Sequence, residues 1–512
     1  MNQNTPILVG SAQYVDRASP QPGKSLSPAD MAAHVAADAI EDAGAAGDLK
    51  ALVDVLAVAR LFEHSVKDTV MWPNPYGNTN NMPRSVARRL DIAPRRHIYA
   101  EVGGETPQRL VNQMAEAIYQ GEYRAVVLTG AEALATIKNG RRLGLEFDWN
   151  EEVEGDFEDL WPEDPMTNSY ESSHGITFPI QVYALFEQAR RHRYQQDLAA
   201  CRAGIGTLFE HFSAVAANNP YAQFPTPRSA VELATPSDQN FPLCEPYAQW
   251  MVAQDAVNQA AAVVMTSVGV AEALEIPRHH WTYLNAYADV DERFVSERPD
   301  LSTSPAQGLA LKRVLEDAEV GIGDVDLIDL YSCFPIAVSS ACEHLGLPLD
   351  GSRPLTLTGG LPFFGGPGNN YSLHAIAEAV QQLRPRSEGH ALIAANGGYL
   401  SKHSIGLYGC ELKGVWQPRS SANEKREAKQ ASGINVIEQG NGEATIESYA
   451  AVYSRGEPAG GYIVARLSSP DDRCLAVADP DDAAASALLF EAEPFGRPVT
   501  VSHRDGINYF TP

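Results

Sequence analysis

Cysteine is scarce and scattered in this 512-residue chain. Its six thiols (Cys201, Cys244, Cys333, Cys342, Cys410 and Cys474) form no CxxC pair and show no finger spacing. A disulfide framework and a zinc centre are therefore not what organises it. Long apolar runs are missing as well: no stretch is long enough to span a bilayer, and Met1–Gly10 lacks the basic and apolar regions of a signal peptide. Together these point to a reducing cytoplasm. Positive charge is in short supply, with 39 Lys and Arg against 65 Asp and Glu and a net charge of −26. A nucleic-acid backbone or an anionic membrane is not the main partner, and an anionic small ligand needs a local basic patch. What remains is an ordinary globular composition, 44% hydrophobic and 20% charged, in a chain long enough for two to four cored domains.

Pro6–Tyr14 reads as a buried strand, and Ser27-Pro28 opens a helix with serine as N-cap and proline in the first turn. Ala51–Ala59 is a second buried strand. Residues 61–84 are loop, Arg84–Leu90 is helical, His97–Val102 a strand, Thr106–Gln120 a helix and Arg124–Gly130 a strand. This alternation predicts βαβ units around a mainly parallel, buried sheet. Residues 143–250 then turn acidic and rich in Pro and Trp before helical segments at Phe178–Arg193 and Ala199–Asn218, the signature of an inserted, largely helical cap. Ala256–Ala273 returns to strand-then-helix.

The second half repeats the first. Ser304-Pro305-Ala306 opens a helix as Ser27-Pro28-Ala29 does, and Glu316-Asp317-Ala318 closes it as Glu41-Asp42-Ala43 does. Asp326–Tyr331 stands where Asp54–Ala59 stood, and Ala391–Asn396 where Arg124–Thr129 did. The order of these matches predicts duplicated α/β halves at 1–270, with the cap at about 143–250, and at 271–412. Residues 413–439 read as a linker. From 440 to 512, period-two alternation interrupted by one helical segment at Asp481–Glu493 predicts a small β-barrel of the OB type.

The stretch Thr358 to Asn396, which opens TGGLPFFGGPGNNYSLHAIAEAV and closes on the apolar run ALIAAN, reads as strand end, glycine-rich loop, helix N-terminus and strand. A weaker copy lies at Val102–Gly130. Such loops bring backbone N–H groups and the positive end of a helix dipole to one place, where an anion or a polarised carbonyl is favoured. These two loops, AVNQAAAVVMTS at 256–267 and the duplication resemble the thiolase superfamily. The resemblance covers 1–412, and is nearest to sterol-carrier-type thiolases and thiolase-like proteins with an extra C-terminal domain. It implies a duplicated five-layered αβαβα fold with an inserted helical loop domain, a site at two central helix N-termini, and CoA-thioester chemistry of the Claisen type.

Residue by residue the implied chemistry is mostly absent. The nucleophilic cysteine of the family's Cys-x-Ser motif falls in Gly104-Glu105-Thr106, so Gly104 offers no nucleophile and Thr106 before Pro107 has an N-cap reading. The Gly-His-Pro motif reads Gly365-Gly366-Pro367, with His374 two turns on. The Cys-x-Gly motif reads Asn396-Gly397-Gly398; an asparagine can donate to a carbonyl oxygen but is no acid or base at neutral pH. The His-Asp-Cys-Phe of the sterol-carrier type reads Tyr331-Ser332-Cys333-Phe334, which leaves Cys333 as the one thiol at an active-site position. Glu105, turned inward, is a candidate general base; turned outward, it merely favours a helix N-terminus. His174 falls where family loops approach the pantetheine. Arg190, Arg191 and Arg193, or Lys138 with Arg141 and Arg142, are basic clusters that could meet CoA phosphates or lie on solvated helix faces.

Two functions fit these residues. One is an acyl-CoA enzyme, leaning to acyltransferase of the acetyl-CoA acetyltransferase kind or to carbon–carbon bond making and breaking in lipid metabolism, without the covalent step of an ordinary thiolase. The other is a non-catalytic acyl-CoA-binding or scaffold protein that recruits a partner through the barrel. In both, coenzyme A or acyl-CoA is ligand or substrate, no cofactor is permanently bound and no metal is expected. Homodimer and monomer stay open.

Overall fold

Helix starts and stops follow from local chemistry in this computed structural model, which describes every residue except Met1, Val70, Pro73, Ala431, Ser432 and Ala492. Ser27 and Asp30 form a reciprocal capping box that opens helix α1, Pro28–Asp42. Strands β1 (Pro6–Val15), β2 (Val53–Val58), β3 (Arg96–Tyr99) and β4 (Ala125–Glu132) are almost wholly buried, as apolar runs without alternation require. Helix α2, Thr106–Tyr119, lies between β3 and β4, and the two-residue strand β5, Glu158–Asp159, pairs parallel to the outer edge of β3.

The cap carries helix α3, Pro179–Arg193, and a longer helix, Leu198–Asn218. The chain then returns through β6, Gln259–Ser267. The second half runs β7 (Thr282–Asp291), α4 (Pro305–Ala318), β8 (Leu327–Leu330), α5 (Pro335–Leu345), α6 (Tyr371–Leu383), β9 (His390–Gly397) and β10 (Lys402–Gly409). The strand order is β8-β9-β10-β7-β1-β6-β4-β2-β3-β5, in which the two halves mirror one another about a short β1–β7 contact at Ile7/Tyr283 and Leu8/Thr282. Helix α1 covers one outer face and α4 the other. Helices α2 and α6 lie in the middle and touch strands of both halves, which makes the stacking αβαβα.

Sheet direction departs from the sequence reading. β2 is parallel to β3 and β4, and β8 to β9, but β1, β6, β7 and β10 all join antiparallel. For β10 the reason is the short return from β9, Gly397 to Lys402, which permits only an antiparallel neighbour.

Residues beyond 440 close into a five-stranded barrel from β11 (Gly442–Ser454), β12 (Glu457–Leu467), β13 (Asp472–Ala478), β14 (Pro498–Arg504) and β15 (Ile507–Thr511), in the cyclic order β11-β12-β13-β15-β14. The helix expected at 481–493 is shorter, Ala483–Leu488, and Ala492 lies outside the described residues. The stretch 413–439 contains a short helix, Ala422–Ala428, packed on α4 and β7. Among the described residues no helix is long and apolar enough to cross a membrane.

Candidate functional site

The two glycine loops meet where the central helices begin. Gly103 N–H donates to Asn369 Oδ1 at 3.0 Å, and Ser372 Oγ donates to the Gly104 carbonyl at 2.7 Å, so the start of α6 is tied directly to the start of α2. Gly104 has no left-handed φ, so its backbone alone would accept a side chain. Its surroundings would not: a Cβ there would lie 2.5 Å from Tyr331 Cζ, against the Tyr331 hydroxyl, and 2.6 Å from the Asn396 carbonyl oxygen. The space that a nucleophile would need is occupied.

Glu105 turns inward. It is fully buried, both carboxyl oxygens lack a hydrogen-bond partner among the described residues, and it lies in a slot between two glycines. A Cβ on Gly103 would come within 2.7 Å of Glu105 Cδ, and one on Gly397 within 2.8 Å. Burial pushes its pKa up, partly offset by the positive charges of Arg109 and Lys402. This corrects the capping expectation for Thr106. Glu105 itself is the backbone cap, with αR geometry, and the Thr106 hydroxyl caps nothing and is buried without a partner among the described residues.

A second polar set faces this one. Asn396 Nδ2 donates to Tyr183 Oη at 2.8 Å and reaches Cys333 Sγ at 3.7 Å, while its Oδ1 is unpartnered among the described residues. Tyr183 Oη also accepts from the Leu400 N–H at 2.9 Å and donates to the Gly398 carbonyl at 3.2 Å, and its ring stacks on Phe334. Burial pushes the partly exposed Cys333 thiol up to about 12, so it is a thiol and not a thiolate at neutral pH. Tyr331 packs edge-on to Tyr371, and burial holds its hydroxyl well above the usual phenol range. Its Oη has no hydrogen-bond partner among the described residues. Ser332 Oγ accepts the Leu361 N–H at 3.1 Å, which anchors the glycine loop. Gly365 (φ +120°) and Gly398 (φ +60°) adopt backbone conformations that favour glycine, whereas Gly366, before Pro367, has no left-handed φ and would place a Cβ 3.3 Å from the Gln254 carbonyl oxygen, a tight contact.

Other expected residues are elsewhere employed. His174 is a fastener between cap and barrel: Nδ1–H donates to the Tyr170 carbonyl at 2.7 Å and Nε2 accepts the Asn508 N–H at 2.9 Å. Arg191 is buried and bonds Gln188, the Gln196 carbonyl, Tyr449 and Glu493. Arg190 and Arg193 both pair with Glu343, and Lys138 with Asp255. His174, Arg190 and Arg191 thus spend their polar groups on partners within the chain, while Arg193 keeps a half-exposed side chain beside Glu343 and Asp300. His374 is buried, bonded to Gln13 at 2.9 Å and pushed down to about 3, so it stays neutral and structural. Sequence reasoning missed Tyr183, Asn369 and Ser372. Only the local Asn-Asn before α6 carried any signal, as a loop end needing polar partners. Among the described residues no group of side chains could hold a metal ion.

Comparisons with known proteins agree with this fold. Residues 426–506 match a family model described as the thiolase-like protein type 1 additional C-terminal domain. The crystal structure of a monomeric SCP2-thiolase-like protein type 1 from Mycobacterium smegmatis is 34% identical, covers 100% of this chain and 99% of its own, and superposes with a TM-score of 0.84. An Acat5 thiolase from Ascaris suum, solved in complex with coenzyme A, shares the fold at 14% identity and a TM-score of 0.56, covering 79% of this chain and 99% of its own. An acetyl-CoA acetyltransferase from Methanothermobacter thermautotrophicus is 27% identical over 258 residues, a match that spans 46% of this chain and 62% of that relative.

Proposed function

The chain belongs to the type 1 SCP2-thiolase-like proteins, and on that premise we propose that it is a CoA-thioester protein whose chemistry proceeds without an acyl-enzyme. The observation that carries this reading is the filled space at Gly104. With Tyr331 and the Asn396 carbonyl against it, no side chain there can attack a thioester. Cys333, held as a thiol, does not replace it.

What is left suits proton transfer next to a carbonyl. The Tyr331 hydroxyl and the backbone N–H groups at the start of α2 are donors for a thioester oxygen that gains negative charge. Glu105, raised by burial, is a stronger base when ionised than an exposed carboxylate and a usable acid when protonated. Removing a proton from the carbon beside a thioester carbonyl opens both Claisen and aldol chemistry, so carbon–carbon bond making or breaking is the reaction class, with acyl transfer confined to direct transfer between thiols. We read the domain limits as 1–270, 271–412, 413–439 and 440–512. The barrel's strand order, with a helix between its third and fourth strands, supports the OB class.

A second reading, a non-catalytic acyl-CoA binder, is favoured by one observation. The large cleft at the mouth of α2, about 1050 Å³, is lined by neither Cys333, Asn396 nor Glu105. One experiment separates them. Acetyl-CoA and butyryl-CoA are titrated by calorimetry, and loss of the α-proton in D2O is followed by NMR. Binding with exchange that falls at least ~10²-fold in Glu105→Gln is expected. Binding without exchange leaves only the second reading, and no heat with CoA or either thioester overturns both.

A further inference from the structure

The cleft of about 1050 Å³ lies between the loop 162–166, the end of β7, the first turns of α2 and the start of β10. Most of its cations are spent. Arg109 holds Asp291 at 2.8 Å, Arg293 holds Glu292 at 3.5 Å, Lys429 holds Asp164 at 2.5 Å, and Lys425 approaches Asp291 at 3.9 Å. Lys402 is the exception. It lines the cleft, is only 5% exposed, and its ammonium has neither a hydrogen bond nor an ion pair among the described residues.

Its charged neighbours are Glu105 and Asp291, which both sense it electrostatically. Asp291 is already bonded to Arg109. Glu105 is shared between two cations, Arg109 and Lys402, and bonds neither. The Lys402 stem is packed while its ammonium reaches the cleft, where it is open to pairing with a bound anion. Asp291 stands directly across the sheet from Lys402 but is bonded to Arg109, so an anion entering the cleft finds this ammonium unbonded.

The walls restrict what that anion is. Glu101, Glu163 and Glu297 face the same cleft and would repel a phosphate dianion or a pyrophosphate. One carboxylate meets about half the repulsion that a dianion meets, and it balances the one unbonded ammonium. Met166 and Phe294 line the same space and offer an apolar stem somewhere to lie. We propose that this cleft is a binding site for a carboxylate on a short apolar stem, with Lys402 as its anchoring cation.

Such a carboxylate has two sources: a free short-chain acid, or the far end of a dicarboxylic acyl group whose thioester lies toward Gly104. Lys402 sits beside Gly398, with Cγ 3.8 Å from where a Cβ on that glycine would be, so the cleft adjoins the thioester position. The second source rests on the proposed function; the first does not.

The test uses the full chain and ligand-observed NMR or calorimetry with butyrate, neutral butyramide, butyryl-CoA and glutaryl-CoA, on wild type and Lys402→Met. We expect butyrate to bind at millimolar concentration and butyramide not to, and Lys402→Met to weaken butyrate at least tenfold. Glutaryl-CoA binding at least tenfold tighter than butyryl-CoA identifies the acyl source, and equal affinities with butyrate binding identify the free acid. No preference for butyrate over butyramide, together with equal affinity for the two thioesters, overturns the site. So does unchanged carboxylate affinity in Lys402→Met. If that variant does not fold, the wild-type comparisons still decide. Failure of both thioesters with retained butyrate binding refutes the proposed function and not this site.

Discussion

Gly104→Ala tests the central geometric argument directly. One methyl is added, and three atoms resist it: the Tyr331 hydroxyl, Tyr331 Cζ at 2.5 Å and the Asn396 carbonyl oxygen at 2.6 Å from the new carbon. Ordinary carbon contacts are about 3.5–4.0 Å, so roughly 1 Å must be found on two sides at once. Overpacking of a tight interior costs about 1–3 kcal/mol. The upper end applies here because the Asn396 carbonyl is backbone in a buried strand, where β9 is paired on both sides and cannot retreat. Tyr331 can be shortened, the carbonyl cannot. Tyr331→Ala should therefore recover only part of the loss when combined with Gly104→Ala, and the two effects should be non-additive by about 1 kcal/mol. Urea unfolding of the four proteins of this cycle measures both quantities. Gly104→Cys, which restores the thiolase nucleophile in name, should be destabilised likewise and should show no acetoacetyl-CoA thiolysis. A Gly104→Ala protein within about 0.5 kcal/mol of wild type, the range of an innocuous surface change, would refute the reasoning.

Other expectations concern buried charge. Glu132 is buried and pushed up to about 8 from an ordinary 4.5, so its contribution to stability is complete below pH 4.5 and is lost as pH rises through 8. By pH 7 the loss has reached ~3 kcal/mol, and Glu132→Gln should flatten the urea midpoint between pH 5 and 8. His374 runs the other way. Lowered to about 3, it costs nothing above pH 6.5 and weakens the fold as pH falls below that, a limb that His374→Gln should remove from a pH-resolved unfolding series. Arg473, fully buried and bonded to Glu447 and the carbonyls of Ser296 and Arg298, ties the barrel to the second half. Arg473→Met should cost ~3 kcal/mol and speed proteolysis within 413–439; unchanged cleavage would show that the barrel is held by other contacts.

The features that could be read from the sequence are those decided locally. The Ser-Pro helix openings at 27–28 and 304–305 and the unalternating strands carry their causes within a few residues, so the duplicated α/β fold and the barrel were legible. Strand direction was not, because most antiparallel pairs join segments far apart in the chain, such as β4 with β6. Glu105 could be read either way: its inward turn depends on slots left by Gly103 and by Gly397, which lies on the other half of the chain. The Arg190–Arg193 cluster looks the same in sequence whether it meets phosphate or Glu343. Lys402 carries no local signal at all, since its isolation is a property of the loop at 162–166, the end of β7 and the first turns of α2 taken together.

Short as it is, β5 decides how the main sheet ends. Glu158 and Asp159 pair with Ile98 and Tyr99 at the free margin of β3, clamped by Arg96 on Glu158 and Arg60 on Asp159, with the Arg60 guanidinium 4.1 Å from the Trp161 ring centroid. An open margin is a template on which a second molecule can add a strand. Here the competitor is tethered to the same chain and present at an effective concentration on the order of millimolar. A second copy at micromolar concentration is outcompeted about a thousandfold for the same hydrogen bonds. The acidic insertion at 151–164 thus acts as a built-in chain terminator of sheet growth. Cutting it out, not diluting the protein, is what would let two such sheets join.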